Sequence, residues 1–419
     1  MIVAETLPSG LRLVTESMSH VRSASIGIWL MRGSRHESDA ESGIAHFVEH
    51  MLFKGTTTRS AQQIAQEIDS IGGQLDAFTA KEYAGYYIKV LDEHLPLAAD
   101  LLSDMILRPA FVPADIVREQ GVILEEIKMV EDAPDDLVHE MFAQQFWPQH
   151  PLGRPILGSP ETVSSFGQAG LRGYFARSYV APRMLVAVAG HIEHAAVREL
   201  IERTFASVPS DAGDSETLPP SVVSGVAYRQ KDIEQSHLCM GTPAYHQAHA
   251  DRHALYVLNT ILGGSMSSRL FQHIREDRGL AYSVFSNLTT YSDAGMVTIY
   301  AGCAADRVAE VVDLSLAELR VLKEAPVPVD ELRRAKDHLK GSLMLNLEST
   351  ASRMSHLARQ FIFFGRHFTL DEMTAAVEAV TAEDVLRVAN ELFRDEGLAA
   401  TVVGPGSSSP LAGQLRVSA

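Results

Sequence analysis

The sequence predicts an α+β fold built twice, each copy a mainly antiparallel sheet packed with helices. Three observations predict it. Strand-like and helix-like stretches alternate along the chain in a pattern that favours antiparallel sheets over a doubly wound parallel one. The segment from Ser207 to Gly225 is rich in Pro, Ser, Gly and Asp and lies at the midpoint of the 419 residues, where a linker divides two halves. The stretches on either side of that segment recur in the same order.

In the first half, Leu11–Thr15 and Ala24–Met31 read as strands. Gly43–Phe53 and Ala61–Ile71 have helical periodicity, and Tyr86–Leu91 is a short β-rich run. Leu95–Leu107 and Ala114–Glu131 return to helix, and Met184–Gly190 is a strand ending in glycine. In the second half, Ala254–Leu262 lies over Ile44–Leu52, each followed by glycine. A β-rich run and helix then follow in both (Tyr86–Leu107; Met296–Leu322), and Ala399–Gly404 repeats the closing strand. The expected organisation is a first domain at 1–206, a linker at 207–225, a second domain at 226–404 and a flexible tail at 405–419. Tyr256, Asn259 and Thr260 stand in the second half where the first has His46, Glu49 and His50. Only the first half can therefore host a site built on those groups.

Composition narrows the partners. The chain has 53 acidic and 36 basic residues, a formal charge of −17, and 46% hydrophobic residues. Nucleic acid and anionic membranes attract positive surfaces, so neither is expected as a partner. No apolar run reaches the roughly 18 residues that span a bilayer. The N-terminus lacks the basic and apolar regions of a signal peptide, so a cytoplasmic location is expected. Cys239 and Cys303 are the only cysteines, which excludes a disulfide scaffold and fits buried apolar thiols in a reduced compartment.

The strongest chemical signal is His46-Phe47-Val48-Glu49-His50. Residues four apart share a helix face, so His46 and His50 can offer two imidazole nitrogens to one metal ion. Ile44, Phe47, Val48, Met51 and Leu52 form the opposite, apolar stripe. The pattern is an H-x-x-E-H metal site, the inverse of H-E-x-x-H. Catalytic zinc takes three protein ligands and a water, so a third ligand must lie elsewhere. The helix at Ala114–Glu131 carries Glu119 and Glu126 seven apart, on one face. Glu126 is a candidate to complete the shell, with Glu119 behind it to orient a ligand histidine. Glu125 points off that face and is the alternative ligand. The three histidines His246, His249 and His253 have no accompanying cysteine or spaced carboxylate and read as a polar loop and helix start.

His46-x-x-Glu49-His50 followed by Glu126 resembles the peptidase M16 (pitrilysin, or inverzincin) family and, within it, the mitochondrial processing peptidase beta subunit. The resemblance runs from about Leu7 to Gly404. It implies the LuxS/MPP-like metallohydrolase fold and one Zn2+ per chain, held by His46, His50 and Glu126. It implies Glu49 as general base and Glu119 in support. It further implies that Ala77, Phe78 and Thr79 lie on an edge strand that pairs with the substrate backbone, with Asp76 where the family usually shows Asn. Arg275 and Tyr282 match a pair that binds the substrate carbonyl and the developing oxyanion, with Arg278 as a substitute for Arg275. The expected activity is that of a zinc metalloendopeptidase on short or unfolded peptides, inside a chamber formed by two subunits. A homodimer is the simplest assembly and a heterodimer with an M16 partner the other. The alternative reading is a non-catalytic scaffold or partner subunit.

Overall fold

A computed structural model describes residues 1–211, 217–405, 411 and 413–418. Residues 212–216 of the expected linker, and 406–410, 412 and 419 of the expected tail, lie outside the described residues. The chain divides into two compact units. Unit 1 comprises Met1–Lys128, Arg154–Thr217 and Leu345–His367; unit 2 comprises Met129–Gly153, Leu218–Met344 and Phe368–Ala419. Relative to contiguous domains at 1–206 and 226–404, each unit takes in one helix-bearing segment from the other half of the sequence.

The sheet of unit 1 contains β1 (Ile2–Thr6), β2 (Arg12–Ser17), β3 (Ser23–Leu30), β4 (Gln74–Thr79), β5 (Ala84–Leu91) and β6 (Met184–Gly190), in the order β1-β2-β6-β3-β5-β4. Only the β2–β6 pair is parallel. The sheet of unit 2 contains β7 (Gly225–Gln230), β8 (Gln235–Ala244), β9 (Ala281–Thr290), β10 (Gly295–Ala304) and β11 (Ala399–Gly404), in the order β7-β11-β8-β10-β9. There only β7–β11 is parallel. Without β1, the first sheet has the same order and pairing directions as the second. The two units are copies of one α+β domain.

The strand pleat explains why each sheet is covered twice. Alternate residues of β6 face opposite sides. Met184, Val186 and Val188 join the core beneath helix α3 (Leu95–Leu107), with Ala98, Leu102 and Met105. Leu185, Ala187 and Ala189 join Trp29 on the other side, beneath Met354, Leu357 and Ala358 of the helix Thr350–Phe364. Small residues allow that close approach: a Cβ added at Gly27 would meet Met354 Sδ at 3.0 Å. In unit 2, Ala400 and Val402 of β11 face one core, while Ala399 and Val403 face Phe142 and Phe146. Those phenylalanines belong to a helix at Pro134–Phe146. Each borrowed helix thus buries its apolar stripe on a sheet face that would otherwise be exposed.

Helices α1 (Ile44–Leu52), α2 (Ala61–Ser70) and α3 of unit 1 are followed by α4 (Pro113–Asp132). Strand β4 is the last strand of its sheet. Among the described residues no helix is long and apolar enough to cross a membrane.

Candidate metal centre

Helix α1 begins where Gly43 adopts φ +93°, a conformation that suits glycine. A Cβ there would also strike Leu157 O at 2.6 Å. Glycine offers no capping side chain, so a distant group supplies one. The buried Glu37 carboxylate accepts hydrogen bonds from Gly43 N (2.9 Å) and Ala45 N (2.8 Å). Burial raises the Glu37 pKa to about 7, against the pull of those two bonds. Ile44, Phe47, Val48, Met51 and Leu52 are buried, and His46, Glu49 and His50 are half-buried on the other face.

Helix α4 brings Glu119 and Glu126 to that face. His46 Nε2 lies 3.7 Å and His50 Nε2 3.5 Å from Glu126 Oε2, and the imidazole centroids are 4.6 Å apart. His50 Nδ1 lies 3.1 Å from Glu119 Oε2, and Lys54 Nζ is 2.7 Å from Glu119 Oε1. With Nδ1–H donated to Glu119, the lone pair of His50 Nε2 faces Glu126. Glu125, the alternative ligand, pairs with Lys128 and is 69% exposed.

These residues fit a zinc ion. Two ligand atoms each about 2.0–2.1 Å from a tetrahedral centre lie roughly 3.3 Å apart, close to the 3.7 and 3.5 Å that separate the histidine Nε2 atoms from Glu126 Oε2. His46, His50 and Glu126 are the one such group of three among the described residues, their ligand atoms all within 4.8 Å of one another. Burial, reinforced by His50, lowers the His46 pKa to about 3, so its ring is neutral and able to bind a cation.

Glu49 is the carboxylate left over. Burial raises its pKa, while a hydrogen bond from Thr79 Oγ1 to Glu49 Oε2 (2.5 Å) acts in the opposite direction. Thr79 therefore does more than lie on an edge strand: its side chain holds Glu49. Phe78 packs against Trp29 and Tyr83, and Asp76 accepts from Tyr87 OH at 2.9 Å. Sequence reasoning missed Lys54 and Glu37. Lys54 follows His50 by four residues, a spacing that signals a shared face, and Glu37 is an acid preceding a helix start.

Arg275 and Tyr282 lie in unit 2. The Arg275 guanidinium is 5.1 Å from the Tyr282 ring centroid and 4.6 Å from that of Phe271. Tyr282 is 80% exposed. Phe271–Glu276 is wound as a π-helix, and Gly279 ends the segment at φ +60°. Arg278, the substitute, donates to His273 O at 2.8 Å. Cys239 and Cys303 are free and buried.

Comparison with known proteins adds independent findings. Residues 12–160 match the profile described as Insulinase (Peptidase family M16), and residues 166–339 match Peptidase M16 inactive domain. An "uncharacterized zinc protease" of Bacillus subtilis, YmxG, is 43% identical over 98% of this chain and 100% of its own length. One of Mycobacterium tuberculosis is 41% identical over 98% of this chain and 95% of its own. Among solved structures, a protease from Helicobacter pylori superposes with a TM-score of 0.88 at 23% identity, covering 97% of this chain and 99% of that one. A peptidase M16 inactive domain from Pseudomonas fluorescens gives 0.91 at 19% identity, over 97% and 99%. At those identities the structures establish the shared fold.

Proposed function

The chain belongs to peptidase family M16, and from that premise we propose that it is a zinc-dependent endopeptidase. The carrying observation is the cluster of His46, His50 and Glu126 with Glu49 beside it on the same helix face. Zinc held by the first three would polarise the scissile carbonyl and acidify a water molecule. Glu49 takes that water's proton as its oxygen attacks the carbonyl carbon. The C–N bond then breaks, and Glu49 returns the proton to the departing amine. Glu119 and Lys54 fix the His50 tautomer. A peptide laid along the free edge of β4 runs extended past Ala77, Phe78 and Thr79.

The finer reading concerns assembly. The chain works as a dimer, with a second copy the simplest partner, and cleaves short or unfolded peptides in a chamber the two subunits form. Arg275 and Tyr282 donate to the oxyanion at the partner chain's zinc site. Two free, buried cysteines suit the cytoplasm. The purified protein is expected to cleave a quenched unstructured peptide, to stop with a chelator and to recover with added zinc. Cleavage indifferent to chelator would refute the reading. Bound zinc without cleavage would favour the scaffold alternative.

A further inference from the structure

A cavity of about 640 Å³ opens in unit 1, and neither His46, His50 nor Glu126 lines it. Its lining includes Arg32, just beyond β3, His36 in the following turn, Tyr174 and Arg177 of the helix Gln168–Ser178, and Arg183. Three arginines from three segments therefore line one cavity. Among the described residues, Asp211 is the one acidic residue lining it. This is a local excess of positive charge in a chain of net charge −17.

The individual groups are poised for a ligand. Arg32 has no carboxylate or hydrogen-bond partner among the described residues. Its pKa is lowered by partial burial and then by the neighbouring charges of Arg183 and Arg177. Arg177 pairs with Glu41 and lies over the Tyr174 ring at 5.2 Å, which fixes its direction. His36 Nδ1 accepts from Gly33 N at 3.1 Å, so the neutral ring carries its hydrogen on Nε2. Burial and Arg32 keep that ring neutral, with a pKa of about 4. Arg183 donates to Arg177 O, so Arg177 and Arg183 are held in place by protein partners and supply positive charge, while the Arg32 fork is the one turned to a ligand. Guanidinium forks match phosphate oxygens in pairs, and a dianion gains more than a carboxylate from three such charges.

We propose that this cavity is a binding site for phosphate-class oxyanions, either free or as the phosphate of a small ester, with Arg32 as the principal contact. The test is calorimetric titration of the full-length protein with inorganic phosphate, pyrophosphate and AMP, with acetate as a carboxylate control, at matched ionic strength. Phosphate or pyrophosphate is expected to saturate a single site, with acetate failing. Equal binding of AMP identifies an ester site, and its exclusion identifies a free-anion site; both support the assignment. Arg32→Ala should weaken binding roughly tenfold or more, the worth of a charge-assisted hydrogen bond. Arg32→Gln serves as the second variant if the alanine chain does not fold. Absence of saturable binding to the unmodified chain at millimolar anion, or undiminished binding by a folded Arg32 variant, would overturn the proposal.

Discussion

Glu49 is held by a hydrogen bond from a neighbouring strand, and that bond influences how readily its carboxyl ionises. The Thr79 hydroxyl donates, so it favours the charged form and opposes the upward push of burial. Thr79→Val removes the donor and should raise the Glu49 pKa further. The acidic limb of the kcat/KM profile then moves to higher pH. The rate should fall by roughly 10- to 100-fold as the base loses its alignment. An unmoved acidic limb would show that Thr79 does not set the base. At this scale the histidine pair was legible because helical period alone brings residues 46 and 50 together. Glu126 over Glu125 was suggested by the shared face with Glu119. The hydroxyl of Thr79 was not legible, because its contact with Glu49 depends on how β4 meets α1, which no local spacing encodes.

At the scale of the element, α1 depends on a cap it does not carry. Glu37 satisfies two amide groups at the start of the helix that holds the histidines. Its folded pKa is raised from the ordinary 4.5 to about 7. Between those values the folded chain holds a proton that the unfolded chain releases, so this group's contribution to stability falls as pH rises through the window. Below it both states are protonated, and above it the penalty is constant. Glu37→Gln removes the titration and leaves one amide without an acceptor, a cost of about 1–3 kcal/mol. In urea unfolding, the advantage of the natural chain over the variant should be larger near pH 4.5 than above pH 7. A pH-independent difference would contradict this. Most helices here were readable, since α1 to α4 each carry a clear apolar stripe or run. Strand β1, short and without a buried residue, had no such signal.

The molecule as a whole repeats one domain, and the repetition is clearer in strand order than in residue identity. The sequence showed the recurring order of patterns. It did not show that the helices at Pro134–Phe146 and Thr350–Phe364 serve the unit formed mainly by the other half. An amphipathic helix announces an apolar face but not which sheet receives it. If two copies share their sites, mixing an inactive Glu49→Gln chain with an inactive Tyr282→Phe chain should restore part of the activity. No recovery in a mixture shown to exchange subunits would refute the trans arrangement. The central claim is hydrolysis by a zinc centre with Glu49 as its base. It is tested most directly by measuring zinc content and peptide turnover together in the natural chain and in Glu49→Gln. Both should bind about one zinc per chain, and turnover should fall roughly 10²- to 10⁴-fold in the variant. Full turnover by a zinc-loaded Glu49→Gln chain, or peptide cleavage by a natural chain that holds no zinc, would contradict it.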